Sequence, residues 1–332
     1  PAIDLAQTGF ILSESVHAYY EAGAHLIFSQ TPDASRICMK ADGTIHPVGT
    51  NITMPDLAAS FELIATEGAS ALYSGDLGKQ IGAWMKDHGG LLSAADLAAY
   101  EVGIRPCHQT RSGNWMLATA PLPAIGGETL KHLVVELNKS TQHGFDSENV
   151  NFFACAMKEI FSRRNAVLYG TSPSDTGFSK GEQPISESSS TSHVSSVDSD
   201  GLAVSITSSC GYSAGVIVPK TGILLNNMLG EQELNADASK LTPGTRIMSN
   251  MSPVVAHGDD GSVISLGAAG SQRIVSALAR VWMARVLDPN PEAAGIDEAV
   301  EAARCHMRMR DDGPLLVYEP GVDVSQFEGE TE

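Results

Sequence analysis

Residues 188–207 read Ser-Ser-Ser-Thr-Ser-His-Val-Ser-Ser-Val-Asp-Ser-Asp-Gly-Leu-Ala-Val-Ser-Ile-Thr, and this stretch marks a change from helical to β-sheet sequence. Val194–Val197 and Leu202–Thr207 predict two strands. The turn between them ends at Gly201, which can supply the positive φ that a hairpin needs. The preceding segment, 171–192, is rich in Ser, Gly, Pro and Glu and predicts a solvated, mobile loop.

Outward from this hairpin, the sequence predicts more strands downstream and mainly helices upstream. The downstream elements are two strand pairs, Val216–Val218 with Ile223–Leu225 and Val254–Ala256 with Val263–Leu266, and a helix from Ser271 to about Leu287. The upstream elements are a helix at the start of the chain, one capped by Thr53-x-x-Asp56 and ended by Gly68, one over 74–88, a short one opened by Ser93-x-x-Asp96, a strand at Asn114–Thr119, a helix to about Leu137 and another from about Glu148 to Leu168. Helices followed by hairpins predict an α+β fold.

The bulk composition limits the classes of partner. The chain has 332 residues, 42% of them hydrophobic, which is enough for a large core. A net charge of −18, from 39 acidic and 21 basic residues, disfavours nucleic acid and anionic membranes as partners. No apolar run is long enough to span a membrane. The five scattered cysteines form no CxxC pair, so we predict no metal site and no cofactor.

Thr191 joins the polar loop to the first strand of the hairpin, and this position has a chemical consequence. If the bond before Thr191 were cut, the new α-amine would lie beside the residue's own hydroxyl. A free α-amine has a pKa near ~8 and can act as a general base that activates this hydroxyl at neutral pH. From spacing alone, however, a Ser- and Thr-rich linker is the ordinary interpretation of such a segment.

A resemblance to the γ-glutamyltransferases (γ-glutamyltranspeptidases, glutathione hydrolases) favours the chemical interpretation over the linker. The similar segments follow the order of that family along nearly the whole chain. They are Pro1–Gly9, the pattern from Gly68 through Gly89-Gly90 to Tyr100, Thr191–Asp198 with Gly201 and Ala203–Ser205, Gly222–Glu231, Ser249–Pro253 and Gly267–Ile274.

The resemblance implies an N-terminal-nucleophile hydrolase with a four-layer αββα sandwich. Residues 1–190 would correspond to a large subunit lacking its N-terminal part, and 191–332 to a small subunit, the two together forming one domain. Thr191 would attack the Ser190 carbonyl and release the two subunits, which remain partners. It would then attack a γ-glutamyl amide such as glutathione, and water or an amine acceptor would resolve the acyl-enzyme.

Further roles follow from the same resemblance. Gly270 and Ser271 occupy the place of the oxyanion-hole glycine pair, where backbone N–H groups at a helix entry favour negative charge. Glu231 would pair with the α-amino group of the substrate, and Ser249 and Asn250 would bind its α-carboxylate. Ser209 would hydrogen-bond the nucleophile. The alternatives are a simple glycine turn at 270–271, a solvated acid at Glu231 and a turn before Pro253 at 249–250.

Two departures from the family keep other functions open. No residue can be assigned to the arginine that holds the substrate carboxylate in the family, and 191–332 spans 142 residues, which is short for a small subunit. We therefore expect a fragment or a shortened relative. Besides γ-glutamyl transfer or hydrolysis, the sequence allows a related acylase, acting on a cephalosporin side chain or on poly-γ-glutamate, and a non-catalytic remnant or binding domain. The compartment remains open.

Overall fold

A computed structural model describes residues 1–140, 147–169, 191–231, 234–235, 241–287, 295–310 and 312–332. The described chain divides into two compact units. The first contains Pro1–Ile104 and Cys210–Met228, and the second contains the described residues of Arg105–Gln183, Ser189–Ser209 and Leu229–Glu332.

The first unit is mainly helical. Its elements are α1 (Ala2–Thr8), β1 (Phe10–Ile11), α2 (Glu14–Ile27), α3 (Pro32–Cys38), β2 (Asn51–Ile52), α4 (Pro55–Glu67), α5 (Ser70–Tyr73), α6 (Asp76–Asp87) and α7 (Ala94–Ala98). Its core contains Leu12, Tyr20 and Phe28. The predicted pairing of Val216–Val218 with Ile223–Leu225 is present only as a single antiparallel bridge between Ile217 and Leu224.

Two predicted caps in this unit have different outcomes. The capping box at Ser93 is confirmed, because Ser93 Oγ accepts a hydrogen bond from the Asp96 backbone N–H and the Asp96 carboxylate accepts one from Ser93 N–H. The cap at Thr53 is wrong. Helix α4 has Met54 at its N-cap and Pro55 at its first position, where the fixed φ of proline starts the helix without a side-chain cap.

The second unit combines helices and strands. Its helices are α8 (Ile125–Leu137), α9 (Ser147–Tyr169), α10 (Ile274–Trp282) and α11 (Ile296–Glu301), with 3₁₀ turns at Met228–Gly230 and Ser271–Arg273 and a π-helical turn at Met283–Leu287. Its strands are β3 (His108–Ser112), β4 (Trp115–Thr119), β5 (Ser192–Val197), β6 (Ala203–Ser208), β7 (Val254–Gly258), β8 (Val263–Leu266), β9 (Cys305–Arg310), β10 (Gly313–Tyr318) and β11 (Glu330–Thr331).

The described residues of this unit form three sheets. A four-stranded antiparallel sheet has the order β3-β4-β7-β8, a three-stranded sheet has the order β11-β10-β9, and β5 pairs with β6 as the predicted hairpin. The register of the hairpin places Ser192 opposite Ser208 and Val194 opposite Ile206. In the larger sheet, Val254 at the start of β7 lies opposite Leu266 at the end of β8.

Helices α8, α9 and α10 cover one face of the four-stranded sheet. Leu117 of β4 and Ala256 of β7 are fully buried on that face, as the period-2 alternation of a half-buried strand requires. They belong to the same apolar cluster as Leu133, Phe153 and Leu278 of the three helices. The core of the second unit therefore lies between these helices and the sheet.

The β5–β6 hairpin contacts the opposite face of the sheet through small polar side chains. Ser265 of β8 donates a hydrogen bond of 3.0 Å to the Val204 carbonyl. The side chains of β6 that face the sheet, Ala203, Ser205 and Thr207, are small and partly buried. The outer face of the hairpin carries Val194, Val204 and Ile206, which are 63%, 44% and 55% exposed.

The α+β class is confirmed by the mixture of helices and sheets. Strand β3 and the C-terminal strands β9 to β11 were not predicted. The predicted division into residues 1–190 and 191–332 describes two subunits along the chain. It differs from the two compact units and stays a prediction. The predicted loop over 171–190 lies outside the described residues, as does Ser190.

Candidate active site

Thr191 directly precedes β5 and is partly buried. Its hydroxyl donates a hydrogen bond of 3.1 Å to Ser209 Oγ, at the far end of the hairpin. The hairpin register explains this contact, because the pairing of Ser192 with Ser208 brings the residues on either side of the two strands together. The structure thus joins two of the predicted site residues.

Two further predicted segments lie at the same end of the sheets. The turn containing Ser249 and Asn250 precedes β7, and the loop containing Gly270 and Ser271 follows β8. Ser205 of β6 connects the hairpin to these strand ends. Its hydroxyl accepts a hydrogen bond from Val254 N–H and donates one to the Leu266 carbonyl, each of 3.1 Å.

His193 fixes the hairpin against the loop that follows β8. One ring nitrogen is 2.9 Å from Thr207 Oγ1 and the other is 2.9 Å from Ser195 Oγ. A Cβ on Gly267 would overlap the imidazole ring, so this close approach requires glycine. Partial burial lowers the pKa of His193 and favours the neutral ring. These contacts give His193 a structural role.

The backbone at Gly270 and Ser271 adopts the left-handed region. Gly270 has φ 119° and Ser271 has φ 52°, and the 3₁₀ turn that follows leads into α10. A non-glycine residue rarely takes this conformation, which costs about 1–3 kcal/mol and is found most often at functional sites. The first N–H groups of a helix have no partner within the helix and can therefore hold a negative charge.

A cavity of about 310 Å³ opens beside Gly270. Its lining includes Arg273, Ser276, His306 and Tyr318. Burial, together with the charges of nearby arginine side chains, lowers the pKa of His306 to about 3, so the imidazole is neutral. Its Nδ1 lies 3.0 Å from Ser276 Oγ. The space is large enough for a ligand of amino-acid or dipeptide size.

Asn250 is 5% exposed and is held by a buried cation. Arg164 of α9, itself 8% exposed, donates a hydrogen bond of 2.8 Å from Nη2 to Asn250 Oδ1. Within the described part of the chain, Asn250 Nδ2 is buried and meets no acceptor.

The backbone of the same turn is anchored at the start of α8. Ser249 N–H donates to the Pro123 carbonyl, and the Ser249 carbonyl accepts from Gly126 N–H. Ser249 Oγ accepts a hydrogen bond from Met251 N–H, which leaves its own proton able to donate.

Glu231 lies directly after the 3₁₀ turn Met228–Gly230 and is 7% exposed. Its backbone carbonyl accepts hydrogen bonds from the N–H groups of Leu234 and Asn235. Burial makes the alternative of a solvated acid wrong for this side chain. Its role in binding a substrate stays a prediction.

Arg164 is the main residue that sequence reasoning missed. The buried face of α9 includes Val150, Phe153, Met157 and Phe161 at helical spacing, and Arg164 follows on the same face. A cation at a core position of an amphipathic helix must be paired or hydrogen-bonded. A cation at a buried position of the apolar pattern was therefore the signal by which Arg164 could have been found in the sequence.

Two other features are not found among the described residues. There, no group of three or more His, Cys, Asp or Glu side chains is placed to hold a metal ion. None of the described helices combines the length and the apolar character that crossing a membrane requires.

Comparison with known proteins places these features in a family context. The family model described as Gamma-glutamyltranspeptidase matches residues 1–180 and 170–328. The glutathione hydrolase proenzyme of Pseudomonas sp. (strain A14) is 27% identical, with 93% of this chain and 60% of that protein aligned. The Acylase ACY 1 proenzyme of Pseudomonas sp. (strain SE83) is 28% identical, with 92% and 59% aligned. The chain thus spans about 60% of the length of these relatives.

A solved structure supports the same fold. The cephalosporin acylase from Bacillus halodurans superposes with a TM-score of 0.77 at 22% identity, covering 98% of this chain and 64% of that one. At this identity the likeness concerns the fold.

Proposed function

Because the chain belongs to the gamma-glutamyltranspeptidase family, we propose that it, or the longer protein of which it forms part, transfers or hydrolyses γ-glutamyl groups through an acyl-enzyme on Thr191. The observation that carries this proposal is the hydrogen bond between Thr191 and Ser209, at the end of the sheets where the 249–250 turn and the 270–271 loop also lie. This arrangement supports a nucleophile with nearby hydrogen-bond donors.

The first proposed step is self-cleavage. Thr191 Oγ1 attacks the carbonyl carbon of Ser190, the peptide C–N bond breaks, and the nitrogen becomes the free α-amine of Thr191. Water then hydrolyses the ester, which leaves a carboxylate on Ser190 and restores the Thr191 hydroxyl. The products are chains 1–190 and 191–332.

The second proposed step is acyl transfer. The α-amine of Thr191 takes the hydroxyl proton as Oγ1 attacks the γ-carbonyl of the substrate. The N–H groups of Gly270 and Ser271 stabilise the oxyanion, and the leaving amine takes the proton when the amide bond breaks. Ser249 and Asn250 hold the α-carboxylate of the substrate and Glu231 holds its α-amino group. Water or an amine then releases the acyl group.

The same proposal includes the finer architecture. The helices, the four-stranded sheet and the hairpin supply three successive layers, which supports an αββα sandwich whose fourth layer would cover the outer face of the hairpin. The apolar residues exposed on that face, among them Val194 and Ile206, are what such a layer would bury.

A related acylase is the second candidate. It is favoured by Ser271, Asn250 and Glu231, which stand where the family resemblance implies a glycine, a serine and an aspartate, and by the similarity to a protein named as an acylase. The acyl group of an acylase substrate would then differ from γ-glutamyl. A non-catalytic remnant is the third.

A denaturing gel and one chromogenic assay separate these candidates. Purified protein should give two bands with termini at Pro1 and Thr191, and the Thr191→Ala variant should stay whole. Release of nitroaniline from a γ-glutamyl anilide would identify the first candidate. Cleavage of the chain without release of nitroaniline would favour the acylase. A folded protein that stays uncut would contradict Thr191 as the nucleophile.

A further inference from the structure

The unpartnered amide of Asn250 is the starting point. The amide orientation is determined by its neighbour, because arginine has only hydrogen-bond donors and must therefore face Oδ1. A flip would place Nδ2 against the Arg164 guanidinium, donor against donor. The remaining group, Nδ2, is a buried donor without an acceptor among the described residues.

Such a donor is costly unless something binds to it. A buried polar group without a hydrogen bond costs about 1–3 kcal/mol, and native proteins contain few of them. The backbone of Asn250 is tightly packed, since its carbonyl accepts from Ser252 Oγ and a Cβ on Gly126 would overlap that carbonyl. The position therefore suits a ligand that brings an acceptor.

The surrounding charge favours an anionic acceptor. Arg164 is a buried cation, and its field acts strongly because water does not screen it there. Besides its burial, the charges of Arg164, Arg273 and Arg308 lower the pKa of His306, so several cations act on this part of the second unit. Ser249 beside Asn250 has a hydroxyl proton available as a second donor.

We infer that Arg164 is a positioning residue: by donating to Oδ1 it fixes the Asn250 amide so that Nδ2 faces the carboxylate that the proposed function places at Ser249 and Asn250. This inference rests on the proposed function, since it concerns the same binding site. It also gives a reason for asparagine at 250, because an amide side chain can accept from Arg164 through Oδ1 and donate to the ligand through Nδ2.

Asn250→Asp is the sharpest test. The replacement has the same shape and still accepts from Arg164, so folding should be retained, but it presents an anion in place of the N–H donor. The probes are L-glutamic acid γ-(4-nitroanilide) and 4-aminobutyric acid 4-nitroanilide, which differ only in the carboxylate. We expect KM for the first to rise at least tenfold with little change in kcat, and KM for the second to stay within twofold.

Arg164 is tested by a pair of variants. Arg164→Met removes the donor that orients the amide and should raise KM for the carboxylate probe, whereas Arg164→Lys should restore part of the preference. Thermal melting checks that each variant folds. If Arg164→Met does not fold, the effect of Asn250→Asp on KM decides whether the orientation of the amide matters. Equal effects on both probes, or no effect on either, would overturn the inference.

Failure of the proposed function has a different signature. If neither anilide is turned over, binding of L-glutamate is measured by calorimetry on Thr191→Ala, with and without Asn250→Asp. Binding that weakens at least tenfold in the double variant supports the inference without turnover. Absent or unchanged binding contradicts it.

Discussion

At the scale of single residues, the Thr191–Ser209 contact gives a direct prediction. A hydrogen bond contributes about 1 kcal/mol net, so Ser209→Ala should lower kcat/KM by roughly fivefold by leaving the nucleophile less well oriented. Ser209→Thr keeps the hydroxyl and serves as the control. Steady-state kinetics on a γ-glutamyl anilide measure both, and an unchanged rate in Ser209→Ala would exclude a positioning role for this hydroxyl.

His306 makes the stability of the second unit depend on pH. Its pKa is about 3 in the folded protein and ~6.5 in the unfolded chain, where the ring is solvated. Above pH 6.5 both states are neutral and His306 has no effect. Below it only the unfolded state binds the proton, so the free energy of unfolding falls by about 1.4 kcal/mol per pH unit until the folded pKa is reached.

Urea unfolding at pH 7 and pH 5 measures this effect. The wild-type protein should lose about 2 kcal/mol more between these values than His306→Gln, which keeps a polar side chain but cannot be protonated. The carboxylates titrate in both proteins, so their contributions to the pH dependence of the free energy of unfolding cancel in the comparison. Parallel pH dependence would mean that His306 is not buried as a neutral ring.

The residues of the site were predictable to different degrees. Thr191 and Ser209 were chosen from a resemblance, and the hairpin register then places them in contact. Arg164 was missed because helical periodicity was assessed by apolar residues alone. Its hydrogen bond to Asn250 joins positions 86 residues apart, and single-sequence patterns contain no information on such pairs.

At the scale of elements, Gly267 determines how closely β5 approaches the loop after β8. In Gly267→Ala the new methyl group would overlap the His193 ring, and overpacking of this kind costs about 1–3 kcal/mol. We expect a lower melting temperature and slower turnover. The double variant Gly267→Ala with His193→Ala should recover part of the stability relative to the sum of the single changes.

A double-mutant cycle by urea unfolding measures that recovery. Gly261→Ala is the comparison, because a Cβ there meets nothing within 4 Å and any loss of stability comes from the positive φ of 86°. If the two single effects simply add, the contact between the ring and the loop is not what restricts position 267.

Elements with a strong local pattern were predicted well, and those held by distant partners were not. The β5–β6 hairpin and helix α9 are confirmed close to their predicted bounds. Strand β3 was missed because its sequence, His-Gln-Thr-Arg-Ser, has no apolar alternation. It is held in place by long-range hydrogen bonds, in which Ser112 Oγ donates to Asn138 Oδ1 and accepts from the Trp282 indole.

At the scale of the whole molecule, a chain without the proposed fourth layer is expected to self-associate through the outer face of the hairpin. Val194 and Ile206 lie opposite each other and are both mostly exposed, and exposed apolar strands promote pairing with other chains. The double variant Val194→Thr with Ile206→Thr should reduce self-association and the binding of a hydrophobic dye, while the melting temperature stays nearly unchanged.

Sedimentation measures this association directly. The matched control is Leu91→Thr with Ile104→Thr, which removes apolar surface that is 89% and 95% exposed elsewhere in the chain. An equal decrease in self-association in both double variants would indicate nonspecific hydrophobic association and not a specific surface of the hairpin.

The shared core of the second unit has a consequence for the protein after cleavage at Thr191. Phe153 and Met157 precede the cut and Leu278 and Met307 follow it, yet all four belong to one apolar cluster. Cutting would remove the covalent connection without dividing this core, so unfolding would release two molecules instead of one. The melting temperature of the cut protein should therefore rise with protein concentration, whereas that of uncut Thr191→Ala should not.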